Sequence, residues 1–565
     1  MTNAPFLIFF AGAAIAMAVP LRWRNGVLLA VPVIGLANLL AMDPSQQWTI
    51  EWLGLQLVPF TSDRLSFIFG VLFHIAAILA TIFAWHVQDR PQQAAALLYP
   101  GSALGAVFAG DLLTLFVFWE CLALSSVFFI TARGTPRAIK AAIRYLVIQV
   151  LSGVLLLSGT LVMLDHSGQI AVGPLDISQP GAKLLLLAFG IKAAFPMLHN
   201  WLTDAYPEAT PSGTVFLCAF TTKVAVYILA RTFSGLDLLI YVGGIMACFP
   251  IFYAVIENDL RRVLGYSMIN QIGFMVCGIG IGTELAVNGA VAHAFNDVLF
   301  KGLLMMSMGA VLFRTGEMRG SELGGLARTM PKTTGLCIVG AASISAFPLF
   351  SGFVSKSMVM AALLIEHHEI LWLAMLFASA GVFHHAGIKI PYFAFFAHDS
   401  GKRPDEAPAH MLVAMSLAAG LCVFIGCYPW LLYSHLPFAV DYLPFDIPHV
   451  VEQLQILFFS ALAFVWLQLS GIYPPELRST NLDSEWLYRK VCPAVYAVCY
   501  RSAQHARKGF YHAVTGLAGM LTPMARQHSY HLLMPWSVRG IVMIAMGFLG
   551  IILLLFYLYS RLPGG

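Results

Sequence analysis

The chain has 565 residues, 59% of them hydrophobic and only 11% charged, with a formal net charge of +4. A soluble domain carries about 25% charged residues; a chain this apolar has too little polar surface to offer water and reads as an all-α polytopic membrane protein. The small net charge gives no support to nucleic-acid binding, and nine cysteines scattered singly, with no CxxC, argue against a metal or iron–sulfur centre; no cofactor is expected.

Stretches of about 20 apolar residues can cross the ~30 Å hydrocarbon core. In chain order sixteen spans are predicted: 5–20, 26–42, 65–86, 92–109, 111–132, 137–163, 182–200, 209–231, 236–257, 261–283, 285–313, 333–364, 368–397, 410–434, 452–471 and 538–560. The first has no basic stretch before it and reads as a span, not a cleaved signal peptide. The connecting loops alternate in charge. Arg22 and Arg24, Arg90, Arg133 with Arg137 and Lys140, Arg261 with Arg262, Arg314 with Arg319, and Lys402 with Arg403 follow odd-numbered spans; the intervening loops are mostly acidic. The loop after the seventh span breaks the pattern, with Asp204 and Glu208 but no basic residue. The positive-inside rule makes the loops after odd spans cytoplasmic and both termini outward, in a bacterial inner membrane.

Residues 474–537 are too long for a loop and too polar for a span. Arg478, Arg489, Lys490, Arg501, Arg507, Lys508 and Arg526 accompany Trp486, Tyr488, Tyr496, Tyr500, Phe510 and Tyr511. This predicts an amphipathic segment on the cytoplasmic face, touching lipid or a neighbouring subunit; a disordered basic linker is the alternative.

Ionisable residues inside the spans are the main functional signal. A charge at mid-membrane costs at least ~2.5–3.5 kcal/mol on insertion scales and needs a partner, water or a function. Glu120 lies mid-way along the fifth span and Lys192 in the seventh, four residues before Pro196. Proline inside a helix kinks or breaks it, and broken helices at membrane depth line cavities where transporters bind ions. The twelfth span repeats the idea with Pro348, Gly352 and Lys356. Lys192/Lys223 and Lys356/Lys389 fall on consecutive spans at nearly equal spacing, an odd number of spans apart, as inverted repeats require. His293, Asp297 and Lys301 follow one another at intervals of four on the eleventh span, which predicts one helix face carrying a proton relay; Asp297 could also take a transient sodium ion. His384 and His385 extend the polar track or are packing residues. Lys389 is expected to belong to the proton route, with snorkelling as the alternative; Lys140 and Arg144 are expected to snorkel, and Tyr266, Ser267 and Gln271 read as helix–helix contacts.

Six stretches carry a resemblance: Phe108–Glu120 (FAGDLLTLFVFWE), Gly190–Gly213 (GIKAAFPMLHNWLTDAYPEATPSG), Thr221–Tyr227 (TTKVAVY), Asp259–Phe274 (DLRRVLGYSMINQIGF), His293–Leu304 (HAFNDVLFKGLL) and Phe347–Lys356 (FPLFSGFVSK). Together they resemble the antiporter-like membrane subunits shared by respiratory complex I and the Mrp-type sodium/proton antiporters, over roughly residues 60–400. The resemblance implies two inverted five-helix repeats with broken helices, over 92–231 and 236–400, preceded by spans 1–3 in 1–91 and followed by spans 14–15 in 410–471, the cytoplasmic segment and the final span 538–560. It implies that Glu120, Lys192, Lys223, Lys301 and Lys356 move protons, that sodium is exchanged, and that other antiporter subunits and the lipid bilayer are partners. The family has a second histidine where this chain has Asp297, and that acid is more like the D-type subunits of the Mrp branch. Two other readings stay open: a proton-pumping subunit of a complex I-like NADH:quinone oxidoreductase, and the membrane half of an energy-coupled inorganic-carbon uptake system. No GxGxxG joins a strand to a helix, so no NADH site is read in this chain.

Overall fold

The computed structural model describes residues 4–521, apart from 44, 475 and 478–480. They fall into two compact units that part between Asp483 and Ser484. The first unit opens with α1 (Pro5–Ala18) and α2 (Leu21–Leu40), then a β-hairpin, β1 (Gln47–Trp52) and β2 (Leu55–Thr61). Leu53 and Gly54 turn the hairpin, both at positive φ, 51° and 77°, as a two-residue type I′ turn demands. No strand is expected from an all-α reading, and this hairpin is the departure. It covers the end of the bundle where Val58 N–H donates to the Asp111 carboxylate at 2.7 Å.

Next come α3 (Arg64–Phe83), α4 (Arg90–Phe108), α5 (Leu112–Thr131), α6 (Pro136–Ser167), α7 (Ala182–Lys192), α8 (Asn200–Ala205), α9 (Gly213–Ala219) and α10 (Thr221–Thr232). A second series follows: α11 (Asp237–Ile256), α12 (Leu260–Ile281), α13 (Glu284–Thr315), α14 (Pro331–Ile344), α15 (Ser351–Ile365), α16 (Glu369–Val382) and, after a π-helical stretch over Phe383–Ile388, the single turn α17 (Lys389–Pro391). The unit continues with α18 (Ala409–Cys427), α19 (Trp430–Tyr433) and α20 (Ile447–Leu469).

The two series share local construction. The α5 and α12 N-termini are capped by the side chains of Asp111 and Asp259. The helices α6 and α13 are each 32 residues long and each ends on a left-handed glycine, Gly168 and Gly316. The breaks after α7 and α14 are wired alike. In the first, Ala194 and Met197 have positive φ and Phe195 N–H bonds the Gly190 carbonyl at 2.9 Å; in the second, Ala346 and Leu349 have positive φ and Phe347 N–H bonds the Ala342 carbonyl at 3.0 Å. Both breaks carry the tripeptide Ala-Phe-Pro, at 194–196 and 346–348. Proline supplies no N–H at the break, and the neighbouring reversals end each half-helix.

Eleven helices among the described residues are long and apolar enough to cross a membrane. Of the sixteen predicted spans, α1 is short, α4 is less apolar, and the seventh and twelfth are divided by their breaks. Large apolar side chains such as Val147, Val154, Phe252 and Phe458 face outward, the pattern of a surface that meets lipid.

Charged contacts explain the irregular loop after the seventh span. Arg144 grips Asp204 through two hydrogen bonds of 2.7 and 2.9 Å, and Arg137 pairs with Glu208 at 2.5 Å. Arg133 and Arg261 both donate to the Pro207 carbonyl. The basic loops after spans five and nine thus lie on the same face as this acidic loop, which draws its positive partners from them. Arg144 pairs instead of snorkelling.

The second unit contains a π-helical turn, Leu487–Val491, and α21 (Cys492–Leu521). Tyr496 and Tyr500 stack at 5.9 Å on an exposed face that also bears Arg501. The predicted span 538–560, with Arg478 and Arg526, lies outside the described residues.

Candidate proton-translocation site

Lys192 closes α7 at the first break and is fully buried. Its Nζ donates to the Trp119 carbonyl at 2.6 Å and sits 4.3 Å from the Trp119 ring centroid. The indole is held in turn: Trp119 Nε1 donates to Ser152 Oγ at 2.9 Å, and Ser152 Oγ donates to the Ala188 carbonyl at 2.8 Å. Three helices, α5, α6 and α7, therefore fix one ammonium. Glu120 is the next residue on α5. It makes no direct ion pair with Lys192, and its Oε1 is buried without a partner. The carboxylate lies flat against α6 because Gly153 has no side chain there; a Cβ at that position would overlap Glu120 Oε1. Glu120 and Lys192 are thus electrostatic neighbours with a gap between them, and a small movement or a water changes their coupling.

Lys223, at the start of α10, reaches Asp297 on α13, Nζ to Oδ2 2.6 Å, with both side chains fully buried. The contact has ion-pair distance without hydrogen-bond alignment, and Asp297 Oδ1 has no partner. Asp297 thereby pairs across helices, not along its own helix with Lys301. One of its oxygens is taken by an ammonium. Among the described residues no group of three or more His, Cys, Asp or Glu side chains is gathered as a metal site.

Lys301 Nζ donates to Ser267 Oγ at 2.8 Å. His293 lies between Gln271 Oε1 and Ser355 Oγ, 3.0 Å from each. Ser267 and Gln271 are therefore the partners of Lys301 and His293, whereas their sequence reading is helix–helix packing. Their spacing of four on α12 was the available signal, since it aims both at one neighbouring helix. Ser355, one residue before Lys356, had no such signal.

Lys356 stands on α15 after the second break, whereas Lys192 stands before the first. Its Nζ is 3.4 Å from the Ile344 carbonyl, 3.5 Å from Ser379 Oγ and 5.0 Å from the Phe274 ring centroid. It lines a cavity of about 230 Å³ shared with Asp446, His449 and Glu452. Lys389 is buried at the far end of the second series. It donates to the carbonyls of Ala254 and Val255, in the last turn of α11, and of Glu257 just beyond it, and pairs with Glu476 at 2.8 Å. His385 is buried, with neither ring nitrogen in an aligned hydrogen bond.

Two acids absent from the sequence reading of the route come from the segment after α20. One is Glu476. The other is buried Asp483, whose Oδ2 accepts from Tyr266 Oη at 2.7 Å and lies 3.1 Å from His199 Nε2. In sequence they sit in a basic, aromatic stretch, which hid them.

A model of the NADH:quinone oxidoreductase/Mrp antiporter transmembrane family matches residues 109–383. The D-type component of the Na(+)/H(+) antiporter of Alkalihalophilus pseudofirmus is 27% identical, over 69% of this chain and 86% of that one. The N-type component of the NADH-quinone oxidoreductase of Desulforudis audaxviator is 31% identical, over 63% of this chain and 79% of that one. Among solved structures, one component of the Mrp complex from Dietzia sp. DQ12-45-1b superposes with a TM-score of 0.71 at 20% identity, over 82% of this chain and 99% of that one. One component of an archaeal membrane-bound sulfane sulfur reductase gives 0.71 at 22% identity, over 98% and 99%. At those identities the structural likeness speaks to the fold.

Proposed function

Because the chain belongs to the NADH:quinone oxidoreductase/Mrp antiporter transmembrane family, we propose that it is the proton-translocating subunit of a multisubunit sodium/proton antiporter. The observation that carries this reading is a series of buried lysines, each held by neutral or acidic partners on other helices: Lys192 by Trp119, Lys223 by Asp297, Lys301 by Ser267 and Lys356 by Ser379. A lysine ammonium carries exchangeable protons, and ionisable groups set on neighbouring helices at membrane depth are what a proton route needs. Glu120 sets the charge on Lys192; Lys223, Asp297 and Lys301 relay it; His293, held by Gln271 and Ser355, links the relay to Lys356, the residue after Ser355.

The membrane potential supplies about 2.3 kcal/mol per charge per 100 mV. Exchange for sodium needs a second, coupled route, which partner subunits complete. The bacterial inner membrane, with the Arg-rich loops inside, is the setting this reading requires. The likeness to the quinone oxidoreductase component favours a second reading, a proton-pumping subunit of a quinone-reducing complex. Proton movement driven by a sodium pulse in vesicles holding the whole complex supports the first; movement driven only by quinone reduction supports the second.

A further inference from the structure

The helix α20 has 23 residues, about 34 Å at 1.5 Å per residue, and so crosses the hydrocarbon core. Two cavities lie at its opposite ends. At the N-terminal end is the cavity of about 230 Å³ that Lys356 shares with Asp446, His449 and Glu452. At the C-terminal end is a cavity of about 360 Å³ lined by Ser321, His398, Gln468, Tyr473 and Glu476. The two cavities therefore lie toward opposite faces of the membrane.

Glu476 joins the second cavity to the protein interior. Its Oε1 is 2.8 Å from Lys389 Nζ, and both carboxylate oxygens are buried without an aligned donor. Its other charged neighbour is Glu257. Beyond Lys389 the π-helical stretch presents two imidazoles. His384 packs edge-on against Tyr473, centroids 5.5 Å apart. His384 Nε2 and both nitrogens of His385 are buried without an aligned hydrogen bond; the backbone of Gly381 and the charges of Lys301 and Lys389 are neighbours of His385. Buried polar nitrogens without an aligned hydrogen bond are uncommon and mark places where water or a transferred proton belongs. Lys389 and Glu476 both lie past the residues that the family model matches.

We propose that Glu476 is the proton-collecting carboxylate of a second port, serving Lys389 on the face opposite the Lys356 cavity. The inference rests on the proton-translocation reading. Glu476 takes a proton from the cavity and passes it to neutral Lys389, leaving the carboxylate–ammonium pair seen here. Lys389 then gives a proton to the imidazole of His385, toward Lys301, and Glu476 is free to accept the next. One proton enters and one leaves in each cycle. The second helix series thus has a mouth on each side of the membrane.

The test uses vesicles of both orientations carrying the whole complex. Glu476→Gln is expected to lower exchange about a hundredfold, the scale of losing a positioned proton-transfer group. Glu476→Asp is expected to restore a measurable part with a shifted proton dependence, which a merely structural acid would not produce. In parallel, Glu476→Cys and His449→Cys are labelled with a membrane-impermeant thiol reagent, against the background of the native cysteines; each is expected to react from one side only, and from opposite sides. Normal exchange and normal proton dependence in Glu476→Gln, with Glu120→Gln inactive, would overturn the port and leave the translocation reading standing. Normal exchange in Glu120→Gln with loss in Glu476→Gln would fault the route through the first series and keep the port. Labelling of both cysteines from the same side overturns the two-mouth arrangement even if Glu476→Gln fails to assemble.

Discussion

Lys223 and Asp297 meet at 2.6 Å with neither side chain reaching solvent, and the contact ties α10 of the first helix series to α13 of the second. Removing one member of a buried pair strands the other charge, which costs about 3–5 kcal/mol. Asp297→Ala is expected to destabilise the purified subunit on that scale in thermal unfolding. The double variant Lys223→Met/Asp297→Leu is expected to recover most of the stability and none of the proton exchange. A double variant as unstable as the single one would show that the pair is not the coupled unit described here.

Gly153 is where the Glu120 carboxylate rests on α6, and a Cβ there would overlap Oε1. Gly153→Ala is expected to push Glu120 away and reduce exchange while the subunit still assembles. Gly509 meets nothing within reach on α21, so Gly509→Ala is the control and should exchange normally. Assembly is followed by co-purification with partner subunits, exchange by a pH-sensitive dye.

Ser267 is the partner of Lys301 at 2.8 Å, and a hydrogen bond to a charged group is worth about 1.5–3 kcal/mol. Ser267→Ala is therefore expected to slow exchange about tenfold or more, and Ser267→Thr to retain most of it. Equal activity in the two variants and the parent would make Ser267 a packing residue, as its sequence reading has it.

Asp63 caps α3 and holds Arg231, with Nη1 2.6 Å from Oδ2. Burial raises the Asp63 carboxyl, but the hydrogen bond and charge of Arg231 and the Ser66 amide outweigh it and leave the group below the ordinary carboxylate range. A lowered folded-state value means that the stability is present above the unfolded value of about 3.9 and is lost as pH falls through the folded one. Asp63→Asn is expected to lower the melting temperature at pH 7 and to flatten its fall in that acid window. An unchanged acid slope would contradict the assignment.

The broken helices were legible because Pro196 and Pro348 cannot continue a helix and each lies in an otherwise apolar span. The lysines were legible because a charge is conspicuous in such a span. Their partners were not. Periodicity places His293, Asp297 and Lys301 on one face of α13, yet Asp297 turns to Lys223 on another helix, which no local pattern encodes. Glu120 and Lys192 stand out singly in their spans, but nothing in the sequence shows that Lys192 is held by the Trp119 carbonyl. Glu476 and Asp483 were hidden for a different reason. Composition averages over a window, and two acids within a basic stretch vanish in the average, although both are buried inside the first unit, on Lys389 and His199.

Glu120 and Lys192 are the two residues on which the proposed proton route depends most. Sodium-driven proton exchange in inside-out vesicles holding the whole complex tests it directly. Glu120→Ala and Lys192→Ala are each expected to abolish exchange while the complex still assembles. Exchange at the parental rate in both variants would contradict the route.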